Sequence, residues 1–194
     1  MDTCERRMKS EALSDVIRDT IIISGGRAVS PMLDSRFAFG GMTKPAAEKA
    51  VVPPPDSFSL KEFYLYGEDE KASIPPFNSN WSERHIAFIC GLGTFGRHTC
   101  LITKKGTAGR LTSIVTDLQL KPDVREYNDR FDYCFQCGTC MRRCPAGAIA
   151  ETGKDISKCA GQLGKMMKYS SPRYGCGKCQ TAVPCETAAK IAQK

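Results

Sequence analysis

The chain has 194 residues, room for one core or a modest domain with a small appendage. Its net charge of +7 is unevenly spread: residues 1–80 carry ten Lys and Arg against twelve Asp and Glu, and residues 81–194 carry eighteen against nine. The first twenty residues are charged throughout, and no stretch reaches the roughly 20 apolar residues of a membrane helix. The composition therefore argues against a signal peptide or a spanning helix and sets the expectation of a soluble, cytoplasmic protein. In that reducing compartment, eleven cysteines, eight of them after residue 130, point to metal before disulfides.

In chain order, residues 5–24 predict an amphipathic helix that packs Met8, Leu13, Val16, Ile17 and Ile21 into a core and stops at Gly25-Gly26. Residues 27–58 are broken by Pro31, Gly40-Gly41, Pro45 and Pro53 to Pro55, and read as loop-rich or extended. A short helix is expected in "SLKEFYLYG", and Pro75-Pro76 closes an acidic first part, residues 1–80. A second helix follows in "SNWSERHIAFICGLG", with Ser82 as N-cap, Glu83 in the first turn, Ile86, Ile89 and Cys90 on one face, and Gly91 as a left-handed stop. The β-branched runs "TCLIT" and "RLTSIVTDL" flank a Lys-Lys-Gly-Thr-Ala-Gly turn and predict a hairpin. Helix and hairpin, residues 81–125, complete the domain begun by residues 1–80, and residues 126–194 form a separate module.

Gly91, Gly93 and Gly96 have the spacing of a dinucleotide-binding fingerprint, and Asp117 lies where that fingerprint places its ribose-binding acid. The fingerprint needs a strand before its first glycine and a long helix after its last. Here the order is helix, glycines, hairpin, so NAD is not the expected cofactor. Gly91 is explained as a helix stop, and Gly93 and Gly96 as positions of close approach, by a cofactor or by a neighbouring strand.

The most specific motif is "CFQCGTCMRRCPAGAI", in which Cys134, Cys137, Cys140 and Cys144 are spaced C-x2-C-x2-C-x3-C-P. Three thiolates at that spacing wrap one 4Fe-4S cubane, and the cysteine before the proline serves a second. A zinc site would instead show two C-x2-C pairs joined by a longer stretch. By ferredoxin logic the first cluster takes Cys134, Cys137, Cys140 and the distant Cys185, and the second takes Cys144, Cys159, Cys176 and Cys179. Small residues near the ligands let backbone N–H groups approach the sulfurs, and Arg142, Arg143 and Lys178 add positive charge. Cys4, Cys90 and Cys100 are left over. His85 and His98 are isolated histidines, expected as surface or hydrogen-bonded residues rather than metal ligands. Because thiolate-bound clusters are anionic, the basic second half reads as their countercharge before it reads as a nucleic-acid groove.

The segments "WSERHIAFICGLGTFGRHTCLIT", "GRLTSIVTDLQLKPD", "YCFQCGTCMRRCPAGAI" and "DISKCAG…YGCGKCQTAVPC" resemble, in that order, the C-terminal half of epoxyqueuosine reductase, a relative of the reductive dehalogenases. The resemblance implies an α+β fold: a small nitroreductase-like, cobalamin-binding sheet with helices, followed by a ferredoxin-like module whose two 4Fe-4S clusters feed electrons to cobalt. It also implies that residues 82–118, with Gly91, Gly93 and Gly96, face a corrinoid. Two departures stand out. The first 80 residues do not reproduce the family's N-terminal region or its catalytic aspartate, and the usual final C-x2-C-x3-C-P becomes C-x2-C-x5-C at Cys176, Cys179 and Cys185. The leading expectation is a two-cluster electron carrier serving a redox partner protein or a small-molecule acceptor. The alternatives are a cobalamin-dependent reductase and, more weakly, a nucleic-acid-binding protein with structural clusters.

Overall fold

The computed structural model describes residues 3–39, 42–43, 79–170 and 175–190. It is α+β, with four helices and four two-stranded antiparallel sheets among the described residues. The helix expected in "SLKEFYLYG" lies outside them. No helix among the described residues is long and apolar enough to cross a membrane. The chain divides into two compact units: residues 1–83, 112–120 and 164–174, and residues 84–111, 121–163 and 175–194. The second helix and its hairpin share a core with the cysteine region: Ile102 packs with Tyr127, Tyr133, Cys134, Val183 and Cys185, and Phe88 lies against them.

In the first unit, α1 (Thr3–Ile23) ends where the sequence places its stop. Gly25 is left-handed at φ 90°, its N–H bonds to Ile22 O, and Gly26 N–H bonds to Ile21 O, both at 3.0 Å, which is a Schellman closure. The packing face differs from the expected one. Leu13, Val16 and Ile17 are 54, 63 and 40 % exposed, while Ser14 is buried and hydrogen-bonded to Ser10 O and Thr112 Oγ1. Strand β1 (Ala28–Val29) precedes a 3-10 turn (Pro31–Leu33) and the pair β2 (Ala38–Phe39) and β3 (Met42–Thr43). Asp117 is tied to this unit, accepting bonds from Arg27 N and Nε at 2.7 and 2.8 Å.

The second unit contains most of α2 (Glu83–Ile89) and the hairpin of β4 (Gly93–Phe95) and β5 (Leu101–Thr103). Helix α2 ends in another Schellman closure: Gly91 is at φ 83°, with Gly91 N–H to Phe88 O at 3.2 Å and Leu92 N–H to Ala87 O at 2.9 Å. Its buried residue is Ala87, whereas Ile89 and Cys90 are exposed, so the expected apolar face is rotated.

The expected pairing of residues 99–103 with residues 110–118 does not form among the described residues. β5 pairs with β4, and β6 (Val115–Thr116) pairs with β1. After the turn at Gly106, Thr107 and Ala108 donate their N–H groups to Cys185 O and Glu186 O at 2.8 and 3.1 Å, so the C-terminal segment takes the place a returning strand would need. Helix α3 (Thr139–Arg142), the ladder of β7 (Ile149–Ala150) and β8 (Gly153–Lys154), and α4 (Ile156–Ser170) follow.

Phe88, Tyr127 and Tyr133 stack in sequence at centroid separations of 5.2 and 5.6 Å, each pair adding about 0.5–1.5 kcal/mol beyond its buried area. The buried Thr94 hydroxyl accepts Tyr133 N–H at 2.9 Å and so fixes the residue before Cys134.

Two stability predictions follow from these contacts. At Gly106, with φ 94°, a Cβ would overlap Glu186 O, whereas Gly109 has open space around it. Gly106→Ala should therefore lower the unfolding midpoint by the equivalent of about 1–3 kcal/mol or more, and Gly109→Ala by about 0.5 kcal/mol or less. Thr94→Val, which strands the Tyr133 N–H, should cost about 1–3 kcal/mol more than Thr94→Ser, which retains the acceptor. Anaerobic denaturation of the four variants measures both differences.

Candidate metal centre

The triplet loop is set by its backbone. Cys134 N–H bonds to Phe131 O at 2.8 Å, and the Asp132 carboxylate accepts the N–H groups of Asn128 and Asp129, closing the turn that leads in. Gln136 and Gly138 are left-handed at φ 51° and 69°, which curls residues 134–140 instead of letting them extend. Gly138 O then accepts Met141 and Arg142 N–H at the start of α3. Arg142 lies across the loop, donating to Cys137 O and Thr139 Oγ1, both at 3.1 Å.

The structure brings Cys134, Cys137, Cys140 and Cys185 together around one small cavity of about 10 Å³, whose wall also holds Arg97 and His98. Cys134, Cys140 and Cys185 are buried and Cys137 is exposed. Burial raises the Cys140 thiol first, with Cys134 and Cys137 adding to it. Burial likewise pushes Cys185 up to about 11, assisted by Cys134, Cys140 and Cys137. Cys137 runs the other way: burial raises it, but the hydroxyl and N–H of Thr139, its own N–H and Arg142 together bring it below the ordinary thiol value. Among the described residues no three His, Cys, Asp or Glu side chains form a site for a single metal ion. The four thiols line a space instead. An all-thiolate wall is the donor set of an iron–sulfur cluster, so the residues present fit that group by their chemistry.

None of Cys144, Cys159, Cys176 and Cys179 lines that cavity. Cys144 Sγ accepts Ala148 N–H at 3.3 Å. Cys176 sits between the left-handed Gly175 and Gly177, and Arg143 Nε reaches Lys178 O at 3.3 Å. Cys179 is held protonated far above the ordinary thiol range, first by its hydrogen bond to Cys100 and then by burial, with Cys159 also close enough to act on it. Cys100 is held correspondingly low by the same bond.

Cys100, one of the three leftover cysteines, thus stands beside a member of the second set. His98 lines the wall of the first. Neither was legible as a site residue, because their partners are distant in sequence and no local motif marks them. His85 lies elsewhere, with its ring 5.1 Å from that of Phe95.

The glycine stretch receives a structural answer. The space of a Cβ at Gly93 is taken by the Ile102 carbonyl, and at Gly96 by the His98 ring, 2.5–3.0 Å away. What approaches these two glycines is the neighbouring strand and a side chain of their own loop. Close approach of the chain itself thus accounts for Gly93 and Gly96, while Gly91 serves as the stop of α2. A helix before the glycines and a hairpin after them is also the reverse of the dinucleotide arrangement.

The first unit has its own concave feature, a solvent-open cleft of about 360 Å³ walled by Phe37, Asn80, Trp81 and the Arg36–Asp34 pair. Trp81 is steadied by its indole N–H, which donates to Ser113 Oγ at 3.1 Å.

No curated protein and no solved structure matches the chain. Residues 129–150 match the family model of the 4Fe-4S binding domain. The match spans the turn, the cysteine triplet, Cys144 and β7, and with the cysteine-walled cavity it identifies an iron–sulfur protein with a ferredoxin-type 4Fe-4S domain.

Proposed function

We propose that the chain carries two 4Fe-4S clusters and passes single electrons to a redox partner or a bound acceptor. The observation that carries this reading is the convergence of Cys134, Cys137 and Cys140, which lie in the matched 4Fe-4S binding domain, with Cys185 on one cavity. When bound, a cubane supplies one-electron chemistry without the protein making or breaking covalent bonds. The chain's own residues do the rest. Cys134, Cys140 and Cys185 present thiolates in a buried wall, Cys137 closes it from the exposed side, and Arg142 pins the loop between them. Cys144, Cys159, Cys176 and Cys179 would hold the second cluster, with the surplus positive charge of residues 81–194 offsetting the charge of both.

A second reading, a corrinoid-dependent reductase of the epoxyqueuosine reductase kind, draws on the sequence resemblance and on the Trp81 cleft in the first unit. Binding of a corrinoid to the anaerobic holo-protein, followed by absorption spectroscopy, separates it from a pure carrier. Loss of that binding in Trp81→Ala would place the corrinoid at the cleft.

Anaerobically purified protein should hold about eight iron and eight sulfide per chain; four or fewer, or zinc in their place, overturns the two-cluster proposal. Cys144→Ser should lose about half of that iron and keep the spectrum of the first cluster. Alkylation gives an independent check. Cys90 and Cys137 are both exposed, so iodoacetamide should modify Cys90 in the holo-protein at least about tenfold faster than Cys137 if iron protects the latter. Equal rates in fully loaded protein would remove Cys137 from the ligand set.

A further inference from the structure

His98 is 1 % exposed, among the most deeply buried side chains described, yet its ring is polar. The loop between β4 and β5 puts it there. Gly96 N–H bonds to Cys100 O at 2.9 Å, Thr99 N–H bonds to Gly96 O at 2.8 Å, and Thr99 adopts φ 64°, a left-handed conformation that a β-branched residue rarely takes. The ring lies over Gly96, where any Cβ would collide with it. A buried imidazole is costly unless its nitrogens are satisfied. Both are engaged here: Nδ1 accepts the Cys100 N–H at 3.0 Å, and Nε2 lies 3.5 Å from Cys185 Sγ. An Nδ1 that accepts carries no hydrogen in the neutral ring, so the hydrogen is on Nε2 and faces the sulfur.

We infer that His98 is a positioning residue which donates its Nε2–H to Cys185 Sγ and thereby raises the reduction potential of the cluster held by Cys134, Cys137, Cys140 and Cys185. The inference rests on the proposed ligand set. Reduction adds negative charge to a thiolate-ligated cluster, and a hydrogen bond to a ligand sulfur stabilises the more negative state more strongly. In the first cysteine's surroundings the positive groups are exposed or turned to backbone oxygens, as Arg142 is to Cys137 O and Arg97 to Glu151 O. The His98 bond is buried, where water screens it least.

The test uses the anaerobic holo-protein, iron analysis and a redox titration followed by EPR. His98→Asn keeps an acceptor near the Nδ1 position for Cys100 N–H but is too short to reach Cys185, and His98→Gln places an N–H near the Nε2 position. The expected result is a negative shift of the first cluster's potential in His98→Asn, return toward the wild-type value in His98→Gln, and an unmoved second cluster. The chain has two histidines, so ¹⁵N-histidine labelling should also show a weak nitrogen coupling to the reduced first cluster that His98→Asn abolishes. Fully loaded Asn and Gln variants with wild-type potentials would overturn the inference, as would equal shifts in both. Loss of the first cluster's iron from both variants would make His98 a packing residue and overturn it too. A wild-type protein with no iron would instead refute the proposed function, which keeps the two failures distinct.

Discussion

The constraint on which the second unit depends is the placement of four sulfurs in one mostly buried space. Thiols so placed resist ionisation, and each thiolate that forms opposes the next; the elevated Cys140 and Cys185 express both effects. Cations between the sulfurs remove the conflict, and iron does so while retaining negative charge overall. The hydrophobic core is organised around this requirement. Cys134 and Cys185 are themselves members of the core cluster, beside Ile102, Tyr127, Tyr133 and Val183. Much of the apolar burial that holds the hairpin also holds Cys134 and Cys185.

Cys185 reaches the cavity by backbone bonding and not by local sequence. Thr107 and Ala108 hold the carbonyls of Cys185 and Glu186, and Lys190 N–H bonds to Tyr133 O at 3.0 Å, so the C-terminal segment is fastened at and beyond Cys185. Gln180 adds a side-chain bond to Thr107 O at 3.0 Å. The five residues between Cys179 and Cys185 are accommodated by a turn in which Ala182 is left-handed at φ 50° and its N–H is held by the Glu186 carboxylate at 2.7 Å. The unusual C-x5-C spacing thus has a local structural support.

Features confined to a few consecutive residues were legible in the sequence, and features requiring a distant partner were not. Both helix stops were visible because Gly25 and Gly91 are the left-handed residues a Schellman closure needs. The cysteine triplet was visible because its spacing is its function. Periodicity identified α1 but misassigned its packing face, since a helical stripe states which side chains lie together and not what covers them. The β-branched runs identified strand-forming stretches but not their partners: "RLTSIVTDL" contributes only Val115–Thr116, and these pair with Ala28–Val29. His98 and Cys100 escaped for the same reason, because a lone histidine and a lone cysteine acquire meaning only from what the fold sets beside them.

The glycine spacing shows how a familiar pattern arises from unrelated needs. Gly91 is there for its left-handed φ, Gly93 because the Ile102 carbonyl occupies its Cβ space, and Gly96 because the His98 ring does. Three separate steric demands reproduce the spacing of a phosphate cradle without its strand, its crossover helix or its ribose acid, Asp117 being engaged by Arg27. The element order decides between the two origins, since a dinucleotide site needs the glycines to open a helix and these close one. The stretch therefore serves the packing of the second unit. Gly91 turns the chain into the hairpin, Gly93 lets the two strands meet, and Gly96 makes room for the His98 ring, whose Nε2 lies against Cys185 Sγ.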